Sequence, residues 1–243
     1  MTDEAEDLVT QPFMAHLIEF RDRVLRAFIA VLVIFAGLFS FSQQLYLYIS
    51  EPIREYLPAT SSMIATEVAS PFLTPFKLTL VLSFFAAMPY ILYQVWAFVA
   101  PGLYQREKKI VIPLFCSSVI LFYAGMAFAY YVVFPLVFLF FTSIAPEGIS
   151  VMPDIRSYLD FVLKLFFAFG LSFEIPIAVV ILSWMGVLDP DNLAKKRPYV
   201  FVLCFVLGML LTPPDIISQT LLAIPMWLLF EIGILFGRLI KPD

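Results

Sequence analysis

Apolar runs long enough to cross a bilayer return repeatedly along this chain, each closed by a polar turn. A hydrocarbon core ~30 Å thick needs about 20 apolar residues per helix, and the backbone inside it must satisfy its own hydrogen bonds. At 62% hydrophobic and 14% charged, 243 residues do not supply the polar surface that a water-soluble domain of this length requires. The chain is therefore predicted to be an all-α integral membrane protein. Six spans are expected within a single membrane domain covering 1–243, at about 24–48, 72–99, 110–141, 157–185, 199–212 and 216–237. Residues 1–12 are polar and acidic and the first run is long enough to stay as an anchor, so no cleavable leader is expected.

Prolines punctuate these runs. Pro89 predicts a kink in the second span; the third is too long for an untilted helix and is expected to tilt, to kink at Pro135 or to project beyond the bilayer. Thr212-Pro213-Pro214-Asp215 breaks the last apolar stretch into two arms of about 14 residues, the second ending at Glu231. At ~1.5 Å per residue each arm covers about 21 Å, less than the hydrocarbon core. Before the first span, Phe13, Leu17, Phe20 and Val24 share one helical stripe, and His16, Glu19, Asp22 and Arg23 lie on the other side. That pattern predicts a short helix lying at the interface and holding Glu19 toward the cytoplasm.

Orientation follows from Lys and Arg. Eleven of them fall at the termini and in the second and fourth loops, against two, Arg54 and Arg156, in the first and third. The excess predicts both termini inside, with the 100–109 and 186–198 loops cytoplasmic. In the stretch from Val95 to Lys109, VWAFVAPGLYQREKK, an apolar run ends in aromatics, breaks at Pro101-Gly102 and emerges into bases around one carboxylate, Glu107. A carboxylate fixed in such a loop suits a cationic ligand. The alternative is local ion pairing, Glu107 with Arg106 or Lys108 and Glu19 with Arg23 at i,i+4.

Glu174, near the middle of the fourth span, is costly at that depth. It is read either as a protonated carboxyl bonded within the bundle or as a functional group facing a wetted groove. Asp160 lies one turn before Lys164 and is expected to pair with it, and Lys77 is expected to snorkel. Gln219 is a polar group in an apolar helix, open either to a partner helix or to its own loop near Asp215. Cys116 and Cys204 sit inside apolar runs and read as packing residues. The sequence has one histidine, His16, no Gly-Lys nucleotide loop and no metal-ligand cluster, which argues against an enzyme. A small-solute secondary transporter is the alternative reading, but no repeat relates residues 1–120 to 121–243.

Seven stretches, in order, resemble the TatC family: HLIEFRDR (16–23), SPFLTPFKL (70–78), YQVWAFVAPGLYQREK (93–108), AYYVVFPL (129–136), FGLSFEIP (169–176), KKRPYV (195–200) and GMLLTPPDIISQTLLAIP (208–225). TatC is the multispanning receptor subunit of the twin-arginine protein translocase. The resemblance implies a cupped bundle in the bacterial inner membrane, with short fifth and sixth helices and a cap from the two outer loops, including Pro52 and Phe72. It implies that Glu19 and Glu107 contact the paired arginines of signal peptides, with Phe98, Leu103 and Tyr104 packing beside them. It places TatA and TatB helices near Met209, Thr212 and Gln219. It also implies folded cargo, export driven by the proton-motive force and self-association in a larger complex, with no cofactor and no nucleic acid. Guanidinium pairs bidentately with carboxylate where lysine offers a point charge, so fixed glutamates suit an Arg-Arg reader.

Overall fold

The structure, a computed structural model, describes residues 3–51, 63–99, 108–143, 152–211 and 216–240. All regular elements among them are helical: α1 (Asp3–Leu38), α2 (Ser42–Ile49), α3 (Ser70–Ala86), α4 (Met88–Val99), α5 (Lys108–Phe128), α6 (Phe134–Ser143), α7 (Ile155–Ser172), α8 (Ile175–Trp184), α9 (Pro190–Lys195), α10 (Arg197–Leu211) and α11 (Ile216–Ile240). Four continuous stretches, His16–Ile49, Ile112–Phe141, Ile155–Trp184 and Gln219–Leu239, are long and apolar enough to cross a membrane. The α3–α4 pair makes a fifth if its 48° bend is taken as one span, and α10 is a shorter apolar helix. Each predicted span thus coincides with helix.

Prolines explain where the spans deform. Pro89 has no N–H to donate and its ring crowds the carbonyl four residues back, so the second span breaks at Ala87. In the third span the same problem at Pro135 is met by a π-helical turn, Ala129–Val133, where the Phe134 N–H donates to the Ala129 carbonyl. Pro176 opens α8 in the first turn, where proline is tolerated, and the fourth span is interrupted just before it at Phe173–Glu174.

The chain forms two compact units, Met1–Phe41 with Thr79–Val119 and Ser42–Leu78 with Ile120–Asp243. In the first, α1 packs on α4. The expected separate interfacial helix over 13–24 is absent, because α1 runs unbroken from Asp3 to Leu38. Its apolar stripe of Leu17, Phe20 and Val24 is exposed, while Glu19 and Arg23 turn partly inward. Lipid can cover an apolar stripe, so nothing forces that stripe against protein.

The second unit has a phenylalanine-rich centre. On α7, Leu159, Val162, Phe166 and Phe169 recur at three- and four-residue steps and are buried. Phe166 lies 5.3 Å from Phe134, and Phe169 lies 5.4 Å from Phe128. Glycines bring helices together: a Cβ on Gly125 would stand 2.5 Å from the Phe169 carbonyl oxygen, and one on Gly233 would stand 3.1 Å from Pro176 Cα. The described parts of the first and third loops between spans are joined by an isolated parallel bridge. There the Ile64 N–H donates to the Pro153 carbonyl and the Ile155 N–H to that of Ile64.

Three further expectations are corrected. Asp160 receives Lys77 at 2.6 Å rather than Lys164, because the neighbouring helix brings an ammonium closer than the i,i+4 partner does. The 186–198 segment is not all loop. Asp189 accepts the Asp191 N–H and, with Pro190, starts the short helix α9. The sixth helix is not short: α11 continues through Glu231 to Ile240, where Arg238 pairs with Asp191 at 2.9 Å on α9. The fifth helix is short, its 15 residues rising about 22 Å.

Candidate functional site

Glu19 is held on α1 at the surface shared with α4. Its Oε1 accepts from Arg23 Nη2 at 2.6 Å and from Arg23 Nε at 3.0 Å, one turn further along the helix. Arg23 Nη1 also donates to Gln94 Oε1 on α4 at 3.3 Å, and Gln94 is buried. Both Arg23 bonds use Oε1. His16 Nδ1 stands 3.9 Å from the other oxygen, Oε2. The His16 ring stacks on Phe98 with centroids 4.2 Å apart, and Phe20 lies 5.6 Å from Phe98 on its other approach. A half-exposed carboxylate therefore sits beside an aromatic ledge, already shaped around one guanidinium.

Phe98, expected to flank Glu107, is linked to Glu19 through the His16 ring. Glu107, Leu103 and Tyr104 lie outside the described residues, as do Pro52 and Thr212. Gln94 and His16 were missed as neighbours of the site. A glutamine in an otherwise apolar run was the available signal for the first.

Elsewhere, Glu174 occupies the interruption between α7 and α8. Its backbone N–H donates to the Leu171 carbonyl, and its own carbonyl accepts from Ala178. Met209 on α10 is exposed, and Gln219 Nε2 donates to the Phe205 carbonyl at 2.7 Å, a bond across the last hairpin rather than to its loop. Gly208 admits that contact, since a Cβ there would stand 3.2 Å from Gln219 Cγ. At the opposite end of the same hairpin, Arg197 forks onto both oxygens of Glu231 at 2.7 Å each. Phe72 is exposed and stacks on Phe76.

Residues 15–225 match the family described as TatC, Sec-independent protein translocase protein. The Sec-independent protein translocase protein TatC of Azotobacter chroococcum is 61% identical over 241 residues, covering 99% of this chain and 94% of that one. The TatC of Escherichia coli strain K12 is 59% identical over 229 residues, covering 94% and 89%. A crystal structure of the twin-arginine translocase receptor TatC aligns with a TM-score of 0.84 at 37% identity, over 93% of this chain and all of that one. On a family match across most of its length and a shared fold, the chain belongs to the TatC family, membrane components of the Sec-independent protein translocase and not enzymes.

Proposed function

We propose that this protein is the receptor of a twin-arginine translocase, reading the arginine pair of signal peptides with Glu19 and Glu107 on the cytoplasmic side of a bacterial inner membrane. The observation that carries this is the Glu19 carboxylate. Arg23 binds its Oε1 through two guanidinium nitrogens, and the side chain stays 38% exposed, with His16 and the Phe98 ring stacked beside it. Six spans with both termini inside follow from the Lys and Arg distribution and put this carboxylate on the same side as Glu107. Leu103 and Tyr104 complete the apolar surround of the arginine side chains. The whole chain, 1–243, acts as one membrane domain.

TatA and TatB single-span helices dock at the last hairpin, against Met209, Thr212 and Gln219, as the complex self-associates for export of folded cargo driven by the proton-motive force. Support comes from the exposure of Met209 and from the Gln219 amide, a polar group within the last apolar hairpin that already bonds across it to the Phe205 carbonyl. Glu174 serves as a polar group inside the bundle.

The test is a direct titration of a twin-arginine peptide on detergent-purified protein. Glu19→Ala and Glu107→Ala are each expected to weaken binding by about 1.5–3 kcal/mol, with less than additive loss in the double variant because both address one arginine pair. Wild-type affinity in the double variant would overturn the receptor reading.

A further inference from the structure

A second polar site lies far along the sequence from Glu19, at the ends of α3 and α7 where both helices begin their apolar courses. A cavity of about 240 Å³ is lined there by Glu67, Ser70, Thr74, Lys77, Arg156 and Asp160, with Leu73, Phe76 and Leu159 as its apolar wall. Two ion pairs frame it, Lys77 with Asp160 at 2.6 Å and Arg156 with Glu67. The four charges sum to zero, and all four side chains are at least one-third exposed. The hydroxyls are the opposite. Ser70 is 1% exposed and Thr74 3%, and neither Ser70 Oγ nor Thr74 Oγ1 has a hydrogen-bond partner among the described residues. A buried hydroxyl left unsatisfied costs on the order of 1–3 kcal/mol, so two of them beside one charged cavity call for a ligand with acceptor oxygens.

We infer that this cavity binds the headgroup of a zwitterionic phospholipid bearing a primary ammonium, a phosphatidylethanolamine, at the membrane surface. The charge pattern selects the class. A phosphate can take Lys77 and Arg156, with Ser70 and Thr74 donating to its oxygens, while an ammonium with three N–H donors takes Glu67 and Asp160. A headgroup with net negative charge would add an uncompensated charge to a cavity whose own four charges cancel. A quaternary ammonium has no N–H to give them. The volume admits a headgroup and falls below the roughly 300 Å³ at which pockets for drug-sized ligands begin. The acyl chains would continue over Leu73 and Phe76, which line the cavity and are exposed. The site accounts for Lys77 more fully than snorkelling alone, because the ammonium is fixed by Asp160 at headgroup depth.

The experiment is native mass spectrometry of the full chain in detergent, titrated separately with palmitoyl-oleoyl phosphatidylethanolamine, phosphatidylcholine and phosphatidylglycerol. The ethanolamine lipid is expected to bind about tenfold more tightly than either other lipid, the value of one charged hydrogen bond. The Ser70→Ala/Thr74→Val double variant leaves every charge in place and should reduce that affinity about tenfold without lowering the unfolding temperature. Arg156→Gln should do the same, and if it fails to fold the hydroxyl variant decides. Equal affinity for the three lipids, or wild-type binding by the hydroxyl variant, overturns the proposal. Soluble phosphoethanolamine that displaces the lipid at concentrations matching it would assign the cavity to a free phosphate zwitterion and overturn the lipid assignment.

Discussion

The first and fourth spans are both apolar stretches of about 30 residues, yet they are used in opposite ways. In the most apolar window of His16–Ile49 only 6% of residues are buried, against 50% in that of Ile155–Trp184. Water would force both to bury. Lipid does not, because acyl chains are as apolar as leucine, so association between helices has to come from close packing and polar contacts. The fourth span has the close packing, with its own Gly170 and, facing Phe169 from the third span, Gly125 letting helices approach around a phenylalanine centre. The first span has the polar contacts, its Glu19–Arg23–Gln94 chain holding it to α4. An apolar helix in a membrane protein is thus a core element only where small residues let something approach it.

The same substitution at two glycines tests this contrast most severely. Gly125→Ala would drive a Cβ against the backbone of Phe169, which cannot swing away. Loss of about 3 kcal/mol or failure to accumulate is expected. Gly37→Ala on α1 meets nothing within 4 Å and should be neutral or stabilising by up to about 1 kcal/mol through helix propensity. Thermal unfolding in detergent measures both. Equal effects would abolish the distinction between the two spans.

Gln94→Leu sharpens the polar side of the comparison. Arg23 would lose its 3.3 Å acceptor on α4 and keep Glu19, so about 1 kcal/mol of stability should go, with twin-arginine peptide affinity changed less than in Glu19→Ala. A loss of peptide binding as large as that of Glu19→Ala would make Gln94 part of the reading surface. Glu174→Gln should be tolerated better than Glu174→Leu in an export assay, since only the first keeps a hydrogen-bonding group at the break between α7 and α8. Wild-type export by the leucine variant with failure of the glutamine variant would reverse that assignment.

The smallest effect is a pH dependence where the first and third loops meet. Asp154 accepts the Ser157 N–H at the start of α7 and bonds the Thr66 N–H and hydroxyl, and these donors hold its carboxyl down at about 2. A folded-state value below the ordinary 3.8 means a contribution fully present above about pH 4 and lost as pH falls toward 2. Solvent exposure keeps it modest. Asp154→Asn should flatten the acid limb of the unfolding curve over that interval, and an unchanged limb would show that the loop bridge stands without the charge.

Much of this was legible because proline and charge act locally. Pro89 and Pro135 marked deformations within a few residues of where they fall, and the i,i+4 spacing of Glu19 and Arg23 offered, as one of two readings, the pairing that the structure has. Lys77 with Asp160 was not legible, since those residues are 83 apart and a nearer candidate, Lys164, competed on paper. The continuity of α1 through residues 13–24 was hidden for a different reason. Periodicity reports which residues share a stripe and says nothing about whether water, lipid or protein covers it. Glu231 was read as the end of an arm; it is the level at which Arg197 clamps one helix to another that carries on.

The π-helical turn at Ala129–Val133 has a consequence for what the third span can tolerate. Such a turn holds one residue more than an α turn, so the helical face after it is offset by about 100° from the face an unbroken α-helix would present. That offset seats Phe134 on Phe166 and Phe138 beside Tyr158, 5.6 Å away. Removing one residue from AYYVV would restore a regular helix and rotate Phe134, Val137 and Phe138, all buried, out of their seats together. The span thus behaves as a dial with a single working setting, and the extra residue carries positional information that no side chain in the turn encodes.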